Sequence, residues 1–190
     1  MAYHWSAITQ SLYGLKMKLN CLLLLFLSSN VLAQDFHTYE LFNNNFQAVF
    51  PGQPIKLEAP DTIKLLKNTQ SYVYVDEGSR IVFTAHYMPT NIKKENYKSS
   101  GMKQQLDDYI KNILTAADQK IINFSSTINN NKSTYIAIFT SRYTGEGKKN
   151  YTSTKRVYYK DKLYKWSVTS DDNSGKNIFD KYRKYNTIIK

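Results

Sequence analysis

The fold is decided by the run Tyr151-Thr-Ser-Thr-Lys-Arg-Val-Tyr-Tyr159, the short connection Lys160-Asp-Lys162, and the run Leu163-Tyr-Lys-Trp-Ser-Val-Thr169. Each run alternates apolar or aromatic residues with polar ones, the period of a β-strand whose successive side chains point to opposite sides. Because the connection is so short, the two runs predict an antiparallel hairpin. We expect the core face of the hairpin to hold Val157, Tyr159, Tyr164, Trp166 and Val168. We expect Arg156, Tyr158 and Lys165 to form an opposite face that is exposed and basic.

Further strands are predicted on both sides of a helix that precedes this hairpin. From Ser100, the residues Met102, Leu106, Tyr109, Ile110, Ile113, Leu114 and Ala117 recur at helical spacing. The strands predicted before the helix are Phe46–Phe50, Ile55–Glu58, Gln70–Asp76 and Ile81–Tyr87. Those predicted after it are Lys120–Ser126 and Ser133–Tyr143, followed by the hairpin. A short terminal helix is predicted from an apolar stripe of Ile178, Phe179, Tyr182 and Tyr185. The order ββββ-α-ββββ-α indicates an α+β domain with an antiparallel sheet packed against helices.

The segment Met17–Ala33 has the three parts of a secretory signal. Lys18, together with Lys16 just before the segment, supplies the positive charge, Cys21 to Leu27 the apolar run, and Val31-Leu32-Ala33 the small-residue cleavage pattern. The apolar run is shorter than the roughly 18 residues needed to cross a bilayer. We therefore expect residues 1–33 to be a signal peptide, with an alternative start at Met17. Cleavage between Ala33 and Gln34 would release residues 34–190 as a single domain, periplasmic or secreted, without a transmembrane anchor.

Composition excludes some kinds of chemistry. The one cysteine, Cys21, lies in the segment expected to be removed, so disulfide frameworks and Cys-ligated zinc are excluded for the processed chain. The net charge is +11, and residues 142–190 carry 13 basic and 5 acidic side chains. Such an excess fits a surface for anionic partners, but a simply solvated face is the commoner explanation of it. The binding surface it suggests is Lys148, Lys149, Lys155, Arg156, Lys160, Lys162 and Lys165.

Catalytic groups are scarce in the sequence. His37 is predicted to lie in a mobile N-terminus, whereas His86 lies on a predicted strand beside Val82 and Thr84, where Asp76 or Glu77 could orient it as a general base. The pairs Asp107-Asp108 and Asp171-Asp172 lack the spacing of a calcium loop. No phosphate-binding loop, nucleophile elbow or zinc-protease motif occurs in the sequence. No catalytic, cofactor-binding or metal-binding residue is therefore assigned, and no cofactor is expected.

Three blocks of the sequence resemble a family of exported bacterial domains, most of which have no assigned activity. They are Phe46-Gln-Ala-Val-Phe-Pro-Gly-Gln-Pro54, Tyr72-Val-Tyr74 with Phe83-Thr-Ala-His-Tyr87, and the run from Arg156 to Val168. The family looks like a relative of the PsbP-like fold, and the similarity covers most of residues 40–186. The resemblance implies an α/β/α sandwich, with an antiparallel sheet between helices. Its motifs are structural, so it implies no chemistry.

The preferred hypothesis is an exported, non-enzymatic binding or accessory domain that acts through its sheet edge or the basic late hairpin. Its partner would be a protein or an anionic component of the cell envelope. One alternative is a hydrolase or metal-dependent enzyme that uses His86, and another is a domain that binds polyanions or anionic surfaces. Basic residues interleaved with tyrosines in the hairpin are also typical of nucleic-acid binding. Export and the need for tyrosines in the core both argue against that reading.

Overall fold

The computed structural model describes residues 35–57, 68–90, 100–129, 134–143 and 149–189, and in these residues the chain forms two antiparallel sheets and two helices. The strands are β1 (His37–Leu41), β2 (Phe46–Phe50), β3 (Ile55–Leu57), β4 (Gln70–Asp76), β5 (Ile81–Pro89), β6 (Gln119–Asn129), β7 (Thr134–Tyr143), β8 (Asn150–Tyr159), β9 (Lys162–Ser170) and β10 (Thr187–Ile188). The helices are α1 (Ser100–Ala116) and α2 (Ser174–Tyr182). The α+β class with antiparallel sheets is as expected. The segment 1–33 lies outside the described residues.

The late hairpin β8–β9 lies inside the larger sheet, whose strand order is β3-β4-β5-β9-β8-β7-β6. The register pairs Lys155 with Trp166, and Val157 with Tyr164. On the other side, Trp166 pairs with Ala85 of β5. The predicted hairpins β4–β5 and β8–β9 are confirmed, and β9 joins one to the other.

One face of the larger sheet, the core face, carries most of the aromatic side chains. Trp166, Phe83 and Val168 on this face pack with Phe46 and Phe50 of the small sheet, whose strand order is β1-β2-β10. Helix α2 lies on the same face and inserts Phe179, which stacks on Trp166 with ring centres 5.2 Å apart. Val157, Tyr164, Trp166 and Val168 therefore form a core as predicted, beneath both a helix and a second sheet, whereas Tyr159 is partly exposed and outside this cluster.

The opposite face, the α1 face, is covered over β6, β7 and β8 by helix α1. Leu106, Ile110 and Leu114 of the helix pack on Tyr135, Phe139 and Tyr158 of the strands. The expectation of an exposed basic face is wrong here, because Tyr158 is buried and Arg156 and Lys165 are only partly exposed. Alternation correctly separated the two sides of the hairpin. It could not indicate that a helix far away in sequence covers the second side.

The predicted element order needs correcting at both ends. In the described residues five strands precede α1, because His37–Leu41 forms β1 and pairs with β2, so His37 lies in a strand opposite Phe50. The short strand β10 follows α2 and pairs with β2 as well. The hydrophobic pattern does not predict these two strands, because β1 is short and largely polar and β10 has only two residues. Tyr185 lies beyond α2 and is 49% exposed, so it does not extend the apolar stripe of that helix.

Candidate functional site

The residues of the predicted basic surface differ in exposure and lie on different faces of the larger sheet. Lys149 and Lys160 are exposed and Lys162 is half-buried, whereas Lys148 lies outside the described residues. Lys155 points to the core face, and Arg156 and Lys165 point to the α1 face. The six described residues of this set therefore do not form one continuous surface.

The Lys155 side chain is hydrogen-bonded to the C-terminal segment. Its Nζ donates to the backbone oxygens of Arg183, at 2.9 Å, and of Asn186. Burial, and then the nearby Arg183, lower the pKa of Lys155 to about 8. Because the end of a helix carries unpaired carbonyl oxygens, an ammonium group there closes the last turn of α2. The geometry indicates a structural role for this lysine.

His86 has a serine partner and no carboxylate partner in the described part of the chain. It lies opposite Ser71 in the β4–β5 pair, and its Nδ1 is 2.8 Å from the Ser71 hydroxyl oxygen. Asp76 pairs with Ile81 at the far end of the same hairpin, five positions from Ser71. The expectation that Asp76 or Glu77 orients His86 is therefore wrong, because the register places the hairpin turn well away from the histidine.

Two cationic side chains, Lys165 and Arg156, lie beside the His86 ring on the α1 face. Lys165 pairs with His86 across β5 and β9, and Arg156 pairs with Lys165 across β8 and β9. Burial, followed by Lys165 and Arg156, lowers the pKa of His86 to about 3. Burial, followed by Arg156, lowers the pKa of Lys165 to about 8. We call His86, Lys165 and Arg156 the cation row.

Acidification is expected to destabilise the protein through His86. The pKa of His86 in the folded protein, about 3, lies below its unfolded value of about 6.5. The unfolded chain therefore binds more protons between these values, and stability is lost as the pH falls below about 6.5. Urea unfolding should show that His86 accounts for about 2 kcal/mol of lost stability between pH 7 and pH 5. The variant His86→Gln should lose this part of the pH dependence, and an identical slope in both proteins would contradict the assignment.

The arrangement around His86 is poorly suited to hydrolysis. A serine and a histidine within hydrogen-bond distance are the first two members of a nucleophilic triad, but the histidine must accept a proton near neutral pH. An imidazole with a pKa of about 3 is a weak base at pH 7. A carboxylate that would raise this pKa is missing from the contacts of His86 in the described residues, where cations surround the ring instead.

One aspartate of each predicted pair, Asp107 and Asp172, has structural partners. Asp107 on α1 accepts from the Tyr135 hydroxyl and forms an ion pair of 2.9 Å with Lys103. Asp172 accepts from the backbone nitrogen of Ser174, at 2.8 Å, at the start of α2. Within the described ranges, no group of three or more His, Cys, Asp or Glu side chains could hold a metal ion.

The edge of the larger sheet at β6 is a feature that no motif in the sequence indicated. Strand β6 is 11 residues long and, in the order of the described strands, has only β7 as a neighbour. Its only charged residue is Lys120, and a register irregularity at Ile121/Asn123 leaves Phe124–Asn129 regular. Asn123, Ser125 and Thr127 are exposed. The low charge of this segment can be read from the sequence, but only the strand order shows that β6 lies at the edge of the sheet.

A groove of about 270 Å³ lies between this edge and α2 on the core-face side. Asn123, Ser125 and Thr140 line it from the sheet, and Lys176, Asp180 and Arg183 line it from the helix. Asp180 pairs with Lys176 at 2.7 Å and with Arg183 at 3.6 Å. The groove is therefore polar with paired charges, and an extended chain running along β6 would border it.

In the described part of the chain, no helix has the length and apolar character needed to cross a membrane. No protein-family model matches the chain, and no curated protein matches it. Solved structures, in contrast, do match this chain. The solution structure of cyanobacterial PsbP (CyanoP) from Synechocystis aligns with a TM-score of 0.57 at 12% identity, over 87% of this chain and 99% of that one.

Two crystal structures align more weakly, each with a TM-score of 0.42. PA94 from Pseudomonas aeruginosa, described as a putative regulator of unknown function, is 11% identical over 78% of this chain and 91% of its own. LpqN from Mycobacterium tuberculosis, described as involved in cell envelope biogenesis, is 14% identical over 82% and 92%. The CyanoP alignment and the antiparallel sheet with its two described helices establish that this chain has the PsbP-like fold.

Proposed function

We propose that this chain is an exported accessory domain that binds an extended segment of an envelope protein along the edge strand β6. The observation that carries the proposal is the length and low charge of that edge. Proteins protect sheet edges by short strands, charges, prolines and bulges, because an open edge pairs with other chains. The opposite edge, β3, is protected in this way, since it has three residues, one of them Lys56. The regular part of β6 has none of these features.

Strand addition explains both affinity and specificity at such an edge. Main-chain hydrogen bonds from the added segment supply the affinity, and alternate side chains supply the specificity. Every second side chain of the added segment would lie on the core-face side, beside Ser125 and Thr127 and next to the groove that α2 borders. The other alternate set would lie beside Phe124 and Ile128, which pack near α1. The signal-like segment Met17–Ala33 supports export. Because an exported domain would meet its partner outside the cytoplasm, we take that partner to be an envelope protein.

Photo-crosslinking in cells of the source organism tests this proposal. A photoreactive amino acid at Ser125 or Thr127 should give one crosslinked envelope protein, recovered in the envelope fraction. The same group at Ile55, which is 67% exposed on the opposite edge, is the matched control and should give none. Equal crosslinking from both edges, or crosslinking only to a second copy of this chain, would contradict a partner segment on β6.

Charged substitutions on the edge provide an independent arm of the same test. With the crosslinker at Asn123, the double variant Ser125→Lys, Thr127→Lys should reduce the yield by about tenfold, since lysines on an edge strand oppose strand addition. The variant Ile55→Lys should leave the yield unchanged. Undiminished crosslinking in the double variant would show that the partner does not pair with β6.

A further inference from the structure

The cation row places three basic side chains on neighbouring strands without acids between them. His86, Lys165 and Arg156 are direct register partners across β5, β9 and β8. Directly opposed residues have Cβ atoms about 4.5–5.5 Å apart, and like charges in such pairs are destabilising. None of the ion pairs in the described residues involves a member of the row. At pH 7 the His86 ring is neutral, and the row holds the two positive charges of Lys165 and Arg156, whose repulsion a bound anion would relieve.

The surroundings of the row supply further hydrogen-bonding groups. Each strand of the row also carries a hydroxyl residue on the same face, two positions away from the basic residue. These are Thr84 on β5, Ser167 on β9 and Thr154 on β8, and they too are register partners. Ser167 and Thr154 are buried, with their hydroxyl oxygens 3.1 Å apart. Ser71 extends the row at its β4 end by its contact with His86. A row of hydroxyl groups thus lies beside the row of cations.

Arg156 has an unused donor. Its Nε is buried and has no hydrogen-bond partner in the described part of the chain. Its guanidinium lies over the Phe139 ring, 5.5 Å from the ring centre, which holds the group against the sheet. A buried donor without a partner costs free energy that an acceptor oxygen would recover. Because Arg156 and Lys165 are both partly exposed, a small ligand can reach them.

We propose that the cation row binds an oxyanion of the phosphate type, either inorganic phosphate or a phosphate ester. A tetrahedral phosphate carries up to two negative charges and several acceptor oxygens, enough to contact a guanidinium and an ammonium group together. The hydroxyl of Thr84, which is partly exposed and next to His86 on the same face of β5, can add a donor. The row lies on the α1 face of β5, β9 and β8, so this site is distinct from the β6 edge and does not depend on the function proposed for it.

Inorganic phosphate, added to the full chain, is the first probe. Calorimetry should show one saturable site, and the pKa of His86 measured by NMR should rise from about 3 toward its ordinary value as phosphate binds. Arg156→Gln and Lys165→Met should each weaken phosphate binding by about 10- to 100-fold. Lys149→Gln and Lys162→Gln are matched controls that keep the affinity, because Lys149 is exposed outside the row and Lys162 alternates to the opposite face.

Unfolding and vesicle binding complete the test. Phosphate should raise the urea midpoint of the wild type and not that of Lys165→Met, which also reports that the variant folds. Vesicles with phosphatidylglycerol, compared with phosphatidylcholine alone, distinguish the source: saturation by inorganic phosphate indicates a soluble ligand, and a response to phosphatidylglycerol alone indicates a lipid headgroup. If neither probe binds, or if the control variants weaken binding as much as the row variants do, the proposed site is overturned.

Discussion

Replacing Trp166 with alanine is expected to lower the free energy of unfolding by about 3–5 kcal/mol, as large-to-small changes of buried aromatic residues do. Trp166 is fully buried on the core face and stacks on Phe179 of α2. Its indole nitrogen donates to the backbone oxygen of Val49 in β2, at 3.2 Å. One side chain therefore links the larger sheet to the helix and to the small sheet, so its loss leaves a cavity where three elements meet.

Urea unfolding followed by circular dichroism measures this effect, and two variants make it specific. Trp166→Phe keeps a ring against Phe179 but leaves the Val49 oxygen unpaired, so it should cost less, about 1–3 kcal/mol. Tyr185→Ala, at an exposed aromatic position near α2, should change stability by less than about 0.5 kcal/mol. A small loss in Trp166→Ala, comparable with that in Tyr185→Ala, would contradict the central position given to this residue.

Local pattern was sufficient for the elements that carry strong periodicity. The β8–β9 hairpin alternates cleanly, and its register puts Trp166 and Val168 on the core face as predicted. The helix predicted from Ser100 forms as α1, since Leu106, Ile110 and Leu114 meet one face of the sheet. Of the other residues in the predicted stripe, Tyr109 is exposed and Ala117 lies beyond the end of the helix. Weak or very short signals failed, as in β1, which gains its stability from pairing with β2.

What covers a face depends on contacts between residues far apart in sequence. Alternation placed Arg156, Tyr158 and Lys165 on one side, but it could not indicate that Leu106 and Ile110 of α1 would cover that side over β8. The cation row was missed for the same reason. His86 lies far from Lys165 in sequence, and only the β5–β9 register makes them neighbours.

Replacing Lys155 with glutamate is the second change expected to be severe, with a loss of about 3–5 kcal/mol in the free energy of unfolding. The lysine donates to the backbone oxygens of Arg183 and Asn186. A carboxylate at this place would face two carbonyl oxygens, and no donor replaces the ammonium group. Uncompensated buried charge of this kind is among the most destabilising changes a point mutation makes.

The effect should spread because Asn186 joins several elements. It is fully buried, its side-chain oxygen accepts from the Val49 nitrogen at 2.9 Å, and its side-chain nitrogen donates to the Tyr182 oxygen at 3.0 Å. Displacing the Asn186 backbone would therefore loosen both the end of α2 and strand β2. Hydrogen exchange should show faster exchange in α2 and β2 of Lys155→Glu, with little change in α1.

Two matched variants separate this structural role from a role in binding. Lys155→Met keeps the aliphatic stem but leaves two carbonyl oxygens unpaired, so it should cost about 1–3 kcal/mol. Lys149→Glu, an equal charge reversal at an exposed position, should change stability by less than about 0.5 kcal/mol. If all three variants unfold at the same urea concentration as the wild type, Lys155 does not hold the C-terminal segment. If they follow the expected order, partner loss in Lys155→Glu reports unfolding, and tests of a basic surface belong at Lys149 and Lys162.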